Sequence, residues 1–488
     1  MNEEIEIAGI KIAQSDWNAT PKSVKAVVTV LSERLGYIEE QIKQNSQNSS
    51  RPPSSDNGRK PNKSKAKKEK KQKPKSRRSD SSRNSRKIYP IEECKEVHAH
   101  VPEYCQHCGE KLSGEDQQPY RHQIIEIPPI SAYIIEHQLH QLECDCCGKK
   151  TRGVLPKRVP SKGYGDRLAA MVAWLNGEHR QSHRMIESLI ATLLGVEISR
   201  GSIGRLRQQV SEAIAEPVKQ AQEYVTRQNI VNSDETSFAQ GNRDGNNAHK
   251  TKGWLWLLAT KLVKVFSVVL SRSQKTFQEL IGEDFKGTVI SDRYSAYNVI
   301  DIEQRQLCWA HLKRDLTAIA ERDGVSKEIG LALLRRESRL FRWWHRVRDG
   351  TMSREQFLEA AMALRAGFKA ELETAAALPI APKEKSPLAR TVRTARRLLK
   401  VEPALWTFLF VEGVEPTNNL AEQALRAAVI WRRTSFGSQS QAGSEFASRI
   451  LTVVTSLKAQ QRNPLDYLTE ACLNKRLGLS APSLLPQT

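Results

Sequence analysis

Ile230-Val231-Asn232-Ser233-Asp234 and Thr288-Val289-Ile290-Ser291-Asp292 are two short β-prone runs, each closing on an aspartate. A third acid, Glu422, lies on a helix predicted to start at Thr417-Asn418-Asn419. Two carboxylates at strand ends and one on a later helix can converge on a pair of Mg²⁺ (or Mn²⁺) ions. Such a pair activates an attacking oxygen and steadies the leaving one in an in-line displacement at phosphorus. Mg²⁺ takes oxygen ligands and usually binds one or two carboxylates together with the substrate's phosphates. The ordered set therefore predicts an enzyme that cuts and rejoins nucleic acid.

Each acid also has an ordinary reading. Glu235 follows Asp234 and competes with it as the ligand; strand periodicity sets Asp234 with Asn232 on one face and Glu235 with Ser233 on the other. Asp292 can cap the helix predicted within Arg293-Tyr294-Ser295-Ala296-Tyr297. Glu422 can offset its own helix dipole or pair with Arg426 one turn on. On that helix Asn419, Glu422, Arg426, Val429 and Arg433 follow one stripe, while Ala421, Ala424, Leu425 and Ala428 form a packing face. A metal ligand would thus sit beside cations suited to phosphate, and Arg432, Arg433 and the turn Ser435-Phe436-Gly437-Ser438 extend the basic surface.

Outward from the acids, Trp254–Thr260 and Val263–Leu270 read as strands, Ser273–Ile281 as a helix, and Gln304–Trp309 as a strand leading into a helix from His311. Residues 326–400 read as wholly helical, an insertion between a first catalytic part (229–325) and a second (401–460), with 461–488 as a tail. Before the strands, 159–228 reads as a helical domain expected to bind DNA. Its piece Met185–Val210 has a helix, Gly195, a short link and a second helix bearing Arg205 and Arg207. That order fits a helix-turn-helix, whose second helix enters a major groove, and equally fits ordinary helical packing.

At the N-terminus (1–45), Val24, Val28, Leu31, Leu35, Ile38 and Ile42 keep the spacing of a coiled-coil seam, which either pairs chains or docks one helix on the body. Residues 46–87 have almost no apolar side chains and read as a disordered basic linker. Within them, 51–87 hold sixteen Lys/Arg against three Asp/Glu, so +13 of the chain's +21 sits there. Such a segment can coat DNA phosphates without reading sequence. In 88–158, Cys105-Gln106-His107-Cys108-Gly109 and Cys144-Asp145-Cys146-Cys147-Gly148 are two knuckles with the spacing of a zinc site; Cys105, Cys108, Cys144 and Cys147 are the expected ligands and Cys146 a spare thiol. A hairpin of Gln123–Ile127 and Tyr133–Leu142 is expected between them.

No run approaches the roughly 18 apolar residues of a membrane helix, and the start Met1-Asn2-Glu3-Glu4 is no secretory signal. A cytoplasmic location is expected, where clustered cysteines bind metal rather than pair.

The order of the knuckles, Ser-Asp-Glu-Thr (233–236), Ser-Asp-Arg-Tyr-Ser-Ala-Tyr (291–297), Cys-Trp-Ala-His-Leu-Lys-Arg-Asp (308–315) and Thr-Asn-Asn-Leu-Ala-Glu-Gln-Ala-Leu-Arg (417–426) resembles the insertion-sequence-sixty-six family of bacterial DDE transposases. The resemblance implies an α/β ribonuclease H-like catalytic core split by the helical insertion, with Asp234, Asp292 and Glu422 as catalytic acids. It further implies DNA contacts from Arg426, Arg432 and Arg433, with Cys308 and His311 supporting the site. The family often carries Arg-Lys-Asn where this chain has Arg432-Arg433-Thr434. The implied reaction is hydrolysis at element ends, then attack of the freed 3′-hydroxyl on target DNA. Terminal repeats, target DNA, a second copy of the chain and accessory proteins of the same element are the implied partners, on the bacterial nucleoid. A DNA-binding regulator, or a nuclease that cuts without joining, are the competing readings.

Overall fold

The structure, a computed structural model, describes residues 4–7, 10–45, 48–49 and 88–486. All but two residues of the expected basic linker fall outside these. The chain divides into two compact units, one of residues 60–132 and one of residues 1–59 with 133–488.

The larger unit opens with an antiparallel hairpin that the sequence did not signal, β1 (Glu4–Ile7) and β2 (Ile10–Ala13), followed by α1 (Gln14–Ala19) and α2 (Lys22–Lys43). Along α2, Val24, Leu31, Leu35, Ile38 and Ile42 are 46% to 65% exposed. The apolar seam therefore does not dock on the body of its own chain.

In the smaller unit the first knuckle sits in a tight turn flanked by an antiparallel bridge between Tyr104 and Lys111. The second knuckle, in the larger unit, is likewise the turn between β3 (Gln141–Glu143) and β4 (Lys150–Arg152). The expected hairpin of 123–127 with 133–142 is not formed; 121–140 carry no strand. Ile124, Ile127, Tyr133 and Ile134 lie exposed with no second layer to bury them.

Four helices follow, α3 (Asp166–Gly177), α4 (His183–Leu194), α5 (Arg200–Ala213) and α6 (Ala215–Thr226). Gly195 ends α4 in a left-handed conformation and Ser199 caps α5 by accepting from the Ser202 N–H. These local signals produce the expected helix-turn-helix outline.

The central sheet comprises β5 (Ile230–Ser237), β6 (Trp254–Ala259), β7 (Lys264–Val269), β8 (Thr288–Ser291) and β9 (Arg305–Leu307), with α7 (Gln274–Ile281) between β7 and β8. Its order is β7-β6-β5-β8-β9; the first three strands are antiparallel, while β5, β8 and β9 run parallel. After β9 come α8 (Trp309–Ala320), α9 (Val325–Arg348), α10 (Arg354–Ala377), α11 (Pro387–Lys400) and α12 (Thr407–Phe410). They build a second apolar core around Trp309, Phe368, Trp406 and Phe408, against Ile290 and Leu307 of the sheet. Then α13 (Asn419–Ser435) and α14 (Gln441–Ala459) return to the sheet.

The outer strand β7 would expose unpaired donors, and α14 covers them. Ser448, Thr452 and Ser456 accept from the N–H groups of Val268, Phe266 and Lys264 at 3.0, 2.9 and 2.9 Å. The match is geometric: four helical residues rise roughly 6 Å, and two strand residues roughly 6.6 Å. The expected tail is instead a helix, α15 (Pro464–Leu477), with Asn463 as cap, Pro464 at its first position and Gly478 past its end. Tyr467, Leu468, Ala471 and Cys472 recur on one face and are buried, and Arg476 pairs with Asp166 of α3.

Thr452→Val keeps the shape of this fully buried side chain and removes its hydroxyl, leaving the Phe266 N–H without an acceptor. Chemical denaturation is expected to show a loss of about 1–3 kcal/mol.

Candidate active site

Register brings the first two acids together. In the parallel pair β5/β8, Ile230 faces Thr288 and Asn232 faces Ile290. Asp234 follows Asn232 by two residues and Asp292 follows Ile290 by two, and the charges of Asp292 and Glu422 both act on the Asp234 carboxyl. Asp234 does not end its strand as expected, because β5 continues to Ser237 through its pairing with Trp254 of β6. It sits where the parallel partner has stopped and one side of β5 is open. One Asp292 carboxylate oxygen accepts from the Tyr294 N–H at 2.8 Å; the helical turn that follows, Ser295–Val299, starts from Tyr294 without a side-chain cap, so Asp292 is not its N-cap.

The third acid arrives by a tether that the sequence reading missed. Asn418, not Asn419, is the anchor: it is 1% exposed, whereas Asn419 faces solvent. Its amide donates to the Ser233 carbonyl at 2.8 Å and accepts from the Asn232 side chain at 2.9 Å. Its backbone N–H donates to Cys308 Sγ at 3.2 Å, and its carbonyl accepts from the Glu422 N–H. The first turn of α13 is thereby lashed beside β5 and the start of α8, with Ala421, Leu425, Ala428 and Trp431 buried beneath. The adjacent Asn232 and the helix-start position of Asn418 were the available signals.

Glu422 Oε1 lies 3.8 Å from Cys308 Sγ and 3.5 Å from His311 Nδ1, which makes no directed hydrogen bond. One ligand atom from each of Cys308, His311 and Glu422 falls within 4.8 Å of the others, close enough to share an ion. Burial pushes the Cys308 thiol up to about 11, so it favours the neutral form.

Asp234 and Glu235 are distinguished by their partners. Glu235 is buried on the opposite face, where Arg272 pairs with it and the Tyr297 hydroxyl donates to it. Arg272 in turn stacks on Trp254 and Tyr294. Asp234 accepts the Glu235 N–H, and among the described residues no Lys or Arg pairs with Asp234 or Asp292. Burial first, then the charges of Glu235, Asp292 and Glu422, hold the Asp234 carboxyl well above the usual range. Oxygen donors crowded together without a protein cation fit a divalent ion.

The expected DNA contacts separate into two groups. Arg426 and Arg433 are exposed on α13, and Arg205 is exposed with a hydrogen bond to Ser202 Oγ at 2.9 Å. Arg432 braces the end of β5, donating to the Ser237 carbonyl at 2.9 Å and to its hydroxyl. Arg207 is turned inward with its guanidinium 4.9 Å from the Phe446 ring, so it is a packing residue rather than a groove contact. Each knuckle has the backbone of a metal turn: Gly109 and Gly148 take positive φ, and their N–H groups return to the carbonyls of Cys105 and Cys144. N–H groups of His107 and Cys108 lower the Cys105 thiol, and those of Cys146 and Cys147 lower that of Cys144.

The model of the family described as "Transposase IS66 family" matches residues 163–446, more than half of the chain. The chain belongs to this family. The matched segment holds all three acids, Asn418, Cys308 and His311, and ends inside α14. A family of unknown function, DUF6444, matches residues 2–86. Both knuckles lie outside the two matches. A curated relative, the "Uncharacterized protein y4qI" of Sinorhizobium fredii (strain NBRC 101917 / NGR234), is 27% identical over 306 residues, covering 57% of this chain and 53% of the relative. The chain thus spans about half the length of that relative. Among the described residues no helix is long and apolar enough to cross a membrane.

Asn418→Ala strands the buried Asn232 amide and is expected to lower stability by about 2–3 kcal/mol on denaturation. Asp234→Asn should act the other way in chelator. The folded carboxyl titrates above its unfolded value near 3.8, so its charge opposes folding at neutral pH and the penalty disappears below that value. Thermal melts in EDTA are expected to show the variant more stable than wild type at pH 7 and equal to it near pH 3.

Proposed function

We propose that the chain is a DNA transposase in which Asp234, Asp292 and Glu422 hold the divalent cations of a phosphoryl-transfer site on a ribonuclease H-like core. The observation that supports this reading is how the segments bearing the acids are held: β5 and β8, which lead to Asp234 and Asp292, pair in parallel, and Asn418 fastens the Glu422 helix to the residues preceding Asp234. The sheet order, three antiparallel strands continued by two parallel ones, supports the core. Mg²⁺ or Mn²⁺, when bound, would activate the attacking oxygen and stabilise the leaving one.

The protein's own contribution is position and charge. Cys308 and His311 lie beside one Glu422 oxygen. Tyr297 and Arg272 keep Glu235 out of the site. Arg426 and Arg433, with the basic segment 51–87, supply phosphate contacts, and Arg205 presents a cation from α5. Hydrolysis of the element ends and strand transfer are both displacements at phosphorus, so one set of acids serves both. The exposed seam of α2 suits pairing with a second copy, and the knuckle thiols suit zinc.

Purified protein incubated with labelled element ends and Mg²⁺ is expected to yield nicked and joined products. Asp234→Asn or Glu422→Gln should reduce both by more than about a thousandfold while end binding persists. Retained cleavage in either variant would reject the triad; nicking without joining would favour a nuclease, and binding without nicking a regulator. For zinc, elemental analysis of the wild-type protein should find the bound metal, and Cys144→Ser should lower that content.

A further inference from the structure

Beyond the acids, β5 leads to an open cleft of about 510 Å³ lined by Lys250, Thr251, Lys252, Arg432, Arg433 and Phe436, with no acidic residue in its walls. Phe436 is the anomaly there. It is 81% exposed, and it occupies the position just past α13 with φ of 58°, where a helix end favours glycine. A bulky residue in that conformation costs on the order of 1–2 kcal/mol, and burial returns little of it.

The turn that carries Phe436 is held firmly. Ser438 N–H donates to the Ala239 carbonyl at 2.9 Å, and Gly241 N–H to the Ser438 carbonyl at 2.8 Å. Gly437 passes so close that a Cβ would lie 2.1 Å from the Ala239 oxygen. The cations are placed as well: Lys252 Nζ sits 4.5 Å from the Trp254 ring, and Arg432 is bonded to Ser237. An aromatic ring displayed on a rigid turn among fixed cations has the chemistry of a nucleobase platform, in which stacking holds the base and the cations hold its backbone.

We infer that Phe436 stacks on an unpaired base of the DNA substrate beside the reacting phosphate. The inference rests on the DNA-transposase reading and adds to it a binding site for a base extruded from the duplex. Ser237 lies three residues beyond Asp234 on β5, roughly 10 Å along the strand. That distance corresponds to about three base-pair steps, so the stacked base lies within a few nucleotides of the cleavage point.

The test uses the full-length protein and a forked DNA duplex with 2-aminopurine placed in turn at each unpaired position next to the junction, in Ca²⁺ so that no strand is cut. Wild-type protein is expected to quench the probe at one of these positions. Phe436→Ala should abolish the quenching and weaken fork binding about tenfold, leaving blunt-duplex binding and the melting temperature unchanged; Phe436→Trp should keep the quenching. Fork binding without quenching at any position, or quenching that survives in Phe436→Ala, overturns the stacking role while the transposase reading stands. Failure of wild-type protein to bind either DNA overturns both.

Discussion

Asn418 joins three pieces of chain that are far apart in sequence: the middle of β5, the Cys308 turn before α8, and the first turn of α13. Its side-chain amide meets β5 from both sides of one position, accepting from Asn232 and donating to the carbonyl of Ser233. With only 1% of its surface exposed, each of those bonds replaces water that cannot reach it. The helical insertion between β9 and α13 can therefore build its own apolar core without displacing Glu422. A long excursion is tolerated because its two ends are pinned at the sheet.

The electrostatics follow from that placement. Three carboxylates and a fourth, Glu235, are held close in a half-buried region, and the fold neutralises only the fourth. Arg272 and Tyr297 satisfy Glu235 on the far face, whereas Asp234 is left repelled by its neighbours. Like charge stored in this way opposes folding at neutral pH, and a divalent cation would relieve it.

Several features were readable from local chemistry alone. Ser182, Ser199 and Ser440 cap helices by accepting from a backbone N–H two or three residues on, and Gly195 and Gly478 end helices in the left-handed region. The strands around the acids were legible because apolar β-branched runs have few alternatives. The helix of 464–477 carried an equally plain signal in Asn463-Pro464 and Gly478, and only its position near the chain end made it look like a tail. The hairpin of 123–142 failed for the opposite reason: its β-branched residues are there, but a strand needs a surface on which to bury one face.

What the sequence determined by itself was the inventory: the strands and helices around the acids, which acids and cations occur in which order, and the family to which that order belongs. Tertiary structure decided how neighbouring residues are placed. It paired Glu235 with Arg272 and left Asp234 without an ion pair among the described residues, buried Asn418 and exposed Asn419, and turned Arg207 inward while leaving Arg205 outside. Such placements depend on strand register and on what packs across each face. Those are set by contacts between residues tens to hundreds of positions apart, and no local pattern encodes them.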